Sequence, residues 1–113
     1  MALKHAELLE VIDLAAPPPE GHTGNISLIR TEHLQLVRLH LDAGQHMAPH
    51  HVAGEISLHC LSGSVEIEVP SHTFNLHAGQ VVVIGGNEPH GLTAQQPAVV
   101  LLTLLHPENK EPA

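Results

Sequence analysis

GQVVVIGGNEPH, residues 79–90, is the stretch that decides how the rest of the chain is read. Val81 to Ile84 is a run of four β-branched side chains, and four residues bounded by glycines make a short strand, too short for a helix. Gly85, Gly86, Asn87 and Pro89 then mark a tight turn, since Gly and Asn tolerate positive φ and Pro cannot continue a paired strand. His90 opens a further strand that runs to Ala94. The run VVVI is apolar on both faces, so each face calls for a cover.

Working outward, the same punctuation of short apolar segments by Gly, Pro and Asn continues through the chain. Strands are predicted at Ile26 to Arg30, Leu34 to Leu41, Ile56 to Leu61, Val65 to Val69, Thr73 to Leu76, Val81 to Ile84, His90 to Ala94 and Val99 to Leu105. Eight short strands describe an all-β jelly roll. Val65, Ile67 and Val69 alternate with Glu66 and Glu68, so that strand turns one face to the core and a charged face to water. VVLLTLL at 99–105, like VVVI, is apolar on both faces, and in so small a protein this predicts a homodimer. Residues 1–25 form an N-terminal arm and a proline-rich linker, 26–106 the barrel and 107–113 a tail. The arm's apolar residues, Leu8, Leu9, Val11, Ile12 and Leu14, suit either a short helix or an extended segment, and Pro17, Pro18 and Pro19 end it. One internal echo, LDAGQ at 41–45 and LHAGQ at 76–80, places a glycine after an apolar strand in both halves, although so short a repeat also arises by chance.

Composition narrows the function classes. With 113 residues the chain is one domain that can bury a core without staples. Four Lys and Arg against twelve Asp and Glu give a net charge of −8, which repels phosphate backbones and anionic lipid surfaces, so neither nucleic acid nor membrane is an expected partner. Phe74 is the only aromatic residue, leaving no platform for stacking bases or sugars. Glu7, Glu10 and Asp13 interrupt what a signal peptide would need as an apolar stretch. A single cysteine, Cys60, excludes an intrachain disulfide and points to the cytoplasm; on its apolar strand it is a small buried hydrophobe. Twelve histidines are the other oddity. A lone histidine is ordinarily a solvated surface residue, so only spacing singles any out, and His22, His33, His40, His72, His77 and His106 stay on the surface or in loops on that reading.

Two segments resemble the paired motifs of the cupin superfamily, small jelly rolls that bind metals. The second motif, Gly, five residues, Pro, any residue, Gly, two residues, His, is matched in spacing by Gly79 and His90, with Gly85 and Asn87 in place of its proline and glycine. The first, Gly, five residues, His, any residue, His, three or four residues, Glu, six residues, Gly, is matched by Gly44, His50 and Gly63. Val52 stands where the second histidine belongs, and Ile56 where the glutamate does. The resemblance implies a cupin-type double-stranded β-helix barrel over residues 26–106 and a divalent transition metal (Fe, Mn, Ni, Zn or Cu) in its pocket.

Of the family's four ligand positions only His50 and His90 carry donors here. Residues two apart on a strand share a face, which is why the motif pairs its histidines that way. His51, next to His50, points the other way on a regular strand and turns inward only if Pro49 and Gly54 bend the segment. His46 lies too far along an extended strand for a shared ion unless the intervening backbone turns. His59 depends on register: in the usual one Ile56, Leu58 and Cys60 face the barrel and His59 faces out, toward a dimer interface, whereas a one-residue bulge brings Glu55, Ser57 and His59 into the pocket. The pattern favours the usual register. Glu88 reads as a solvated turn carboxylate. The function expected is that of a small cupin holding a metal through His50 and His90, with His51 or His59 third, and acting as an enzyme such as a dioxygenase or isomerase; the alternative is a non-catalytic module that binds or senses a small ligand with a degenerate metal site.

Overall fold

The computed structural model describes residues 5–18 and 24–106, so the tail at 107–113 and the middle of the proline-rich linker lie outside the described residues. Nine strands are present there: β1 (Asn25–Arg30), β2 (Leu34–Leu41), β3 (His46–His50), β4 (Ile56–Ser62), β5 (Ser64–Glu68), β6 (Thr73–His77), β7 (Val81–Ile84), β8 (His90–Ala94) and β9 (Ala98–Leu105). They form two antiparallel sheets, a five-stranded one in the order β1-β2-β9-β4-β7 and a four-stranded one in the order β3-β8-β5-β6. This is the expected all-β jelly roll. The ninth strand, β3, is absent from the sequence reading, because HMAPH has no β-branched residue and contains Pro49. It is a strand by virtue of its pairing with β8, at the sheet edge where a proline costs no ladder hydrogen bond.

Between the sheets the inward residues alternate as the sequence requires. Val65, Ile67, Cys60 and Val100 are wholly buried, and Leu39, Leu41, Ile56, Leu58, Leu76, Ile84, Leu92, Ala94 and Ala98 complete the core. Cys60 is inert there: burial pushes its thiol pKa up, and its Sγ donates to the Ser62 carbonyl at 3.3 Å.

The repeated LDAGQ and LHAGQ segments form the same turn twice. Gln45 N donates to Asp42 O at 3.0 Å and Gln80 N to His77 O at 2.9 Å, while each glutamine's Oε1 accepts from the first residue's amide, Asp42 N at 3.1 Å and His77 N at 2.9 Å. Gly44 and Gly79 sit at φ 81° and 88°, which an L side chain rarely adopts and the third position of a type II turn demands. Both turns carry the chain across from one sheet to the other, β2 to β3 and β6 to β7, so the echo marks equivalent corners of the barrel.

The described part of the arm is neither helix nor strand. It folds through two turns, closed by Glu10 N to Glu7 O and Ala16 N to Asp13 O, and lies on the outer face of the five-stranded sheet. Ala6 N donates to Leu28 O at 2.8 Å, and Arg38 Nη1 donates to the carbonyls of Asp13 and Leu14 at 3.3 Å each. Arg38 points outward from β2, between the inward Val37 and Leu39, yet it is only 4% exposed. Ile26 and Ile29, opposite Arg38 and Leu36, are buried apart from the main core on that same face. His40, two residues on, is also on that face, so it is not the free surface residue expected from sequence. Its Nε2 is buried without a partner among the described residues, and burial first, then the Arg38 charge, lowers its pKa.

A histidine held neutral by the fold binds fewer protons than it does in the unfolded chain, so its contribution to stability is complete above about pH 6.5, its free value, and is lost as the pH falls from there through the lower folded value. Urea midpoints of the wild type and His40→Gln at pH 7.5 and pH 5 check this: the wild type is expected to lose more stability over that interval than the variant does.

Candidate functional site

His50 and His90 meet because β3 carries a bulge. Met47 pairs with Leu92 and His50 with His90, so two residues of β3, Ala48 and Pro49, oppose the single Gly91 of β8. On a regular strand His46 and His50, four apart, would share a face. The extra residue reverses the parity, so Met47 and His50 both turn inward while His46 turns outward. The His46 Nδ1 lies 2.8 Å from Thr93 Oγ1 and its Nε2 3.8 Å from the Glu68 carboxylate, all on the outside of the barrel.

The two inward rings are 4.6 Å apart between centroids, tilted by 54°. His90 is buried and His50 exposed, so the pair spans the barrel mouth. Each ring is oriented by a main-chain carbonyl two residues before it: His90 Nδ1 lies 3.0 Å from Glu88 O, and His50 Nδ1 lies 3.4 Å from Ala48 O. Beneath them opens a cavity of about 240 Å³, lined by Val37, Leu39, Met47, Leu58, Leu92 and Leu102, with Asn25 and Gly91 at its rim.

The rim is held by two loops locked together. Asn87 N donates to Val52 O at 2.7 Å, and Gly86 packs so closely on Ala53 that any Cβ would collide with the Ala53 carbonyl oxygen. Asn87 takes the positive φ that asparagine tolerates, 65°, whereas Gly85 stays in ordinary backbone.

The other candidate ligands do not reach this pair. Leu58 lines the cavity and Ile56, Leu58 and Cys60 are buried, so His59 points to the opposite face of β4, beside Leu101 and Val81, as the usual register requires. His51 lies just past β3 and is exposed. Pro49 does bend the segment, but the residue the bulge turns inward is His50. Ile56 is a core residue 2% exposed, opposite Ile84 and Leu104, and Val52 packs against the core. Among the described residues no three His, Cys, Asp or Glu side chains come together in a way that could hold a metal ion. Two imidazoles alone do not fit a resident ion, for which three or four protein donors are the rule. The bulge is what sequence reading missed, and its one signal is Pro49 between residues whose spacing demands opposite faces.

A family model described as the cupin domain matches residues 37–104. No curated protein matches the sequence. Among solved structures, a conserved protein of unknown function from Streptococcus pyogenes is 26% identical over 96% of each chain, with a TM-score of 0.77. A cupin superfamily protein from Desulfitobacterium hafniense is 16% identical over 95% of this chain and all of its own, at 0.76, and KdgF from Halomonas sp. is 21% identical over 75% of this chain and 79% of its own, at 0.67. The last two likenesses speak to the fold alone.

If the locked loops set the pair, Gly86→Ala is expected to shift the ring resonances of both His50 and His90 and to lower the urea midpoint, while methyl resonances of Val100 deep in the barrel stay in place; unshifted rings would show that the rim does not position them.

Proposed function

Because the chain belongs to the cupin family and its barrel closes over an apolar cavity with a histidine pair at the mouth, we propose that it is a binding or sensing module for a small organic molecule. The observation that carries this is the combination of a cavity of about 240 Å³, apolar on its walls, with two converging imidazoles and no third ligating group among the described residues. The volume lies below the roughly 300–1,000 Å³ of drug-sized sites, so the molecule is small. Its apolar body would lie on Leu39, Leu58 and Leu102, and its polar end at His50 and His90. Among the described lining residues there is no hydroxyl, thiol, amine or carboxylate, which supports binding over hydrolysis or group transfer. No helix among the described residues is long and apolar enough to cross a membrane. A cytoplasmic location is our reading of the single, buried Cys60.

A second reading is a divalent transition ion shared by the two imidazoles and completed by water or substrate, serving an enzyme. It draws on the carbonyls at Nδ1, which leave Nε2 as the free nitrogen of each ring, the arrangement that orients histidine ligands. Elemental analysis and native mass spectrometry on untagged protein separate the two. We expect far less than one metal per chain, and a small organic mass that is retained by the wild type and lost in His90→Phe. One metal per chain that disappears in His90→Ala would instead establish the second reading and end the first.

The protein partner we infer is a second copy. The outer face of β9, β4 and β7 carries Val81, Val83 and Leu105 exposed, while the arm, bonded to β1 and β2, turns Leu8, Leu9 and Val11 to solvent. Both apolar patches belong to the same chain, so a two-fold arrangement covers each with the other. Sedimentation is expected to give a dimer for the wild type and monomers of unchanged circular dichroism for Leu9→Glu and for Val83→Glu; a monomeric wild type at micromolar concentration would rule the interface out.

A further inference from the structure

We infer that the turn Glu7-Leu8-Leu9-Glu10 is a docking knob for a second copy of this chain, with Leu9 as its anchor; this rests on the second-copy reading above and names its contact. Glu10 N donates to Glu7 O at 3.1 Å and Glu10 Oε1 accepts from Glu7 N at 3.0 Å, so the turn is closed twice. Leu9 occupies its third position at φ 73°, the place in a type II turn that calls for glycine or asparagine. Among the described residues only Asn87 shares a positive φ without being glycine, and asparagine tolerates it where leucine does not. Packing within the chain does not hold Leu9 there: its side chain is fully exposed, and Leu8 beside it is exposed too. Strain of this kind clusters where a site uses it. Here it presents an apolar side chain to something outside its own chain.

The apolar patch on β7 of the same chain is out of its reach. Ala6 is held at Leu28 of β1, and β1 and β7 are opposite edges of the five-stranded sheet. Four strand spacings separate them, about 19 Å along the sheet, whereas Leu9, three residues beyond Ala6, extends at most about 11 Å from it. Val81 and Val83 therefore meet Leu9 only from another copy. Charge selects the same face. Glu7 and Glu10 flank the knob, and the five strands of that sheet contain no Asp or Glu and both arginines of the chain, Arg30 and Arg38. The four-stranded sheet carries Glu66 and Glu68 instead. On a chain of net charge −8, the five-stranded sheet is the one that does not repel an acid-flanked knob. The contact joins unlike surfaces, arm on sheet, and a two-fold axis makes it twice per dimer.

Sedimentation equilibrium and urea titration of the full chain test this. Leu9→Asn installs a residue that tolerates positive φ and removes the apolar anchor. Its dimer dissociation constant is expected to rise at least about tenfold, the loss from leaving a leucine side chain unburied, while the urea midpoint at a dilution where the wild type is monomeric does not fall. An unchanged constant overturns the knob and leaves the dimer standing; a fallen midpoint assigns Leu9 to the fold of its own chain and overturns the knob too. Mixing then separates unlike from like contacts. At a concentration where Leu9→Asn and Val83→Glu are each monomeric, an equal mixture is expected to associate, because the intact arm of one meets the intact sheet of the other; a mixture that stays monomeric overturns the arm-on-sheet contact. A wild type that is monomeric at micromolar concentration defeats the second-copy reading on which the knob stands.

Discussion

Two residues of one edge strand set against one residue of its neighbour govern everything that happens at the mouth of this barrel. Ala48 and Pro49 opposite Gly91 change the parity of β3, and a change of parity exchanges its faces. Met47 then joins the cavity wall, His50 comes against His90, and His46 is sent to the outer surface with Thr93 and Glu68. Edge position permits this. Pro49 has no amide hydrogen to offer, and β3 has a partner on only one side, so the interruption leaves the rest of the four-stranded sheet in register.

The pair so formed is two of the four donors that the motif's spacing would place here. Where the family's motif calls for a second histidine and a glutamate, this chain has Val52 packed against the core and Ile56 wholly within it. Such a replacement changes the physics of the pocket, since an aliphatic wall favours an apolar body and withdraws the charge a cation would need. What stays polar is narrow and directional: two rings, each pinned through Nδ1 to the backbone.

The outer faces of the two sheets differ as sharply. The four-stranded sheet shows Glu66, Glu68, His46 and Thr93 to water, a surface that discourages association. The five-stranded sheet carries Val81, Val83 and Leu105 exposed on its outer face, and at β2 the arm's carbonyls cover the Arg38 guanidinium, with Ile26 and Ile29 buried on the same face. His40 beneath that cover loses its hydration beside a fixed positive charge, which is why it resists protonation.

Local periodicity and turn chemistry were enough to read the all-β architecture, eight of the nine described strands, the inward register of Ile56, Leu58 and Cys60, and the turn before His90, because each of these depends on side chains within a few residues of one another. The spacing from Gly44 to His50 and from Gly79 to His90 likewise identified the two histidines that meet. Tertiary structure alone decided that β3 is a strand, that a bulge is what turns His50 inward, that His40 is half-buried with its Nε2 closed off from water, and that the equivalent LDAGQ and LHAGQ turns are corners of one barrel. Each of these is created by a partner far along the chain, β8 for β3 and the arm for β2, and a sequence pattern carries no record of which distant surface will supply the missing hydrogen bonds or the cover.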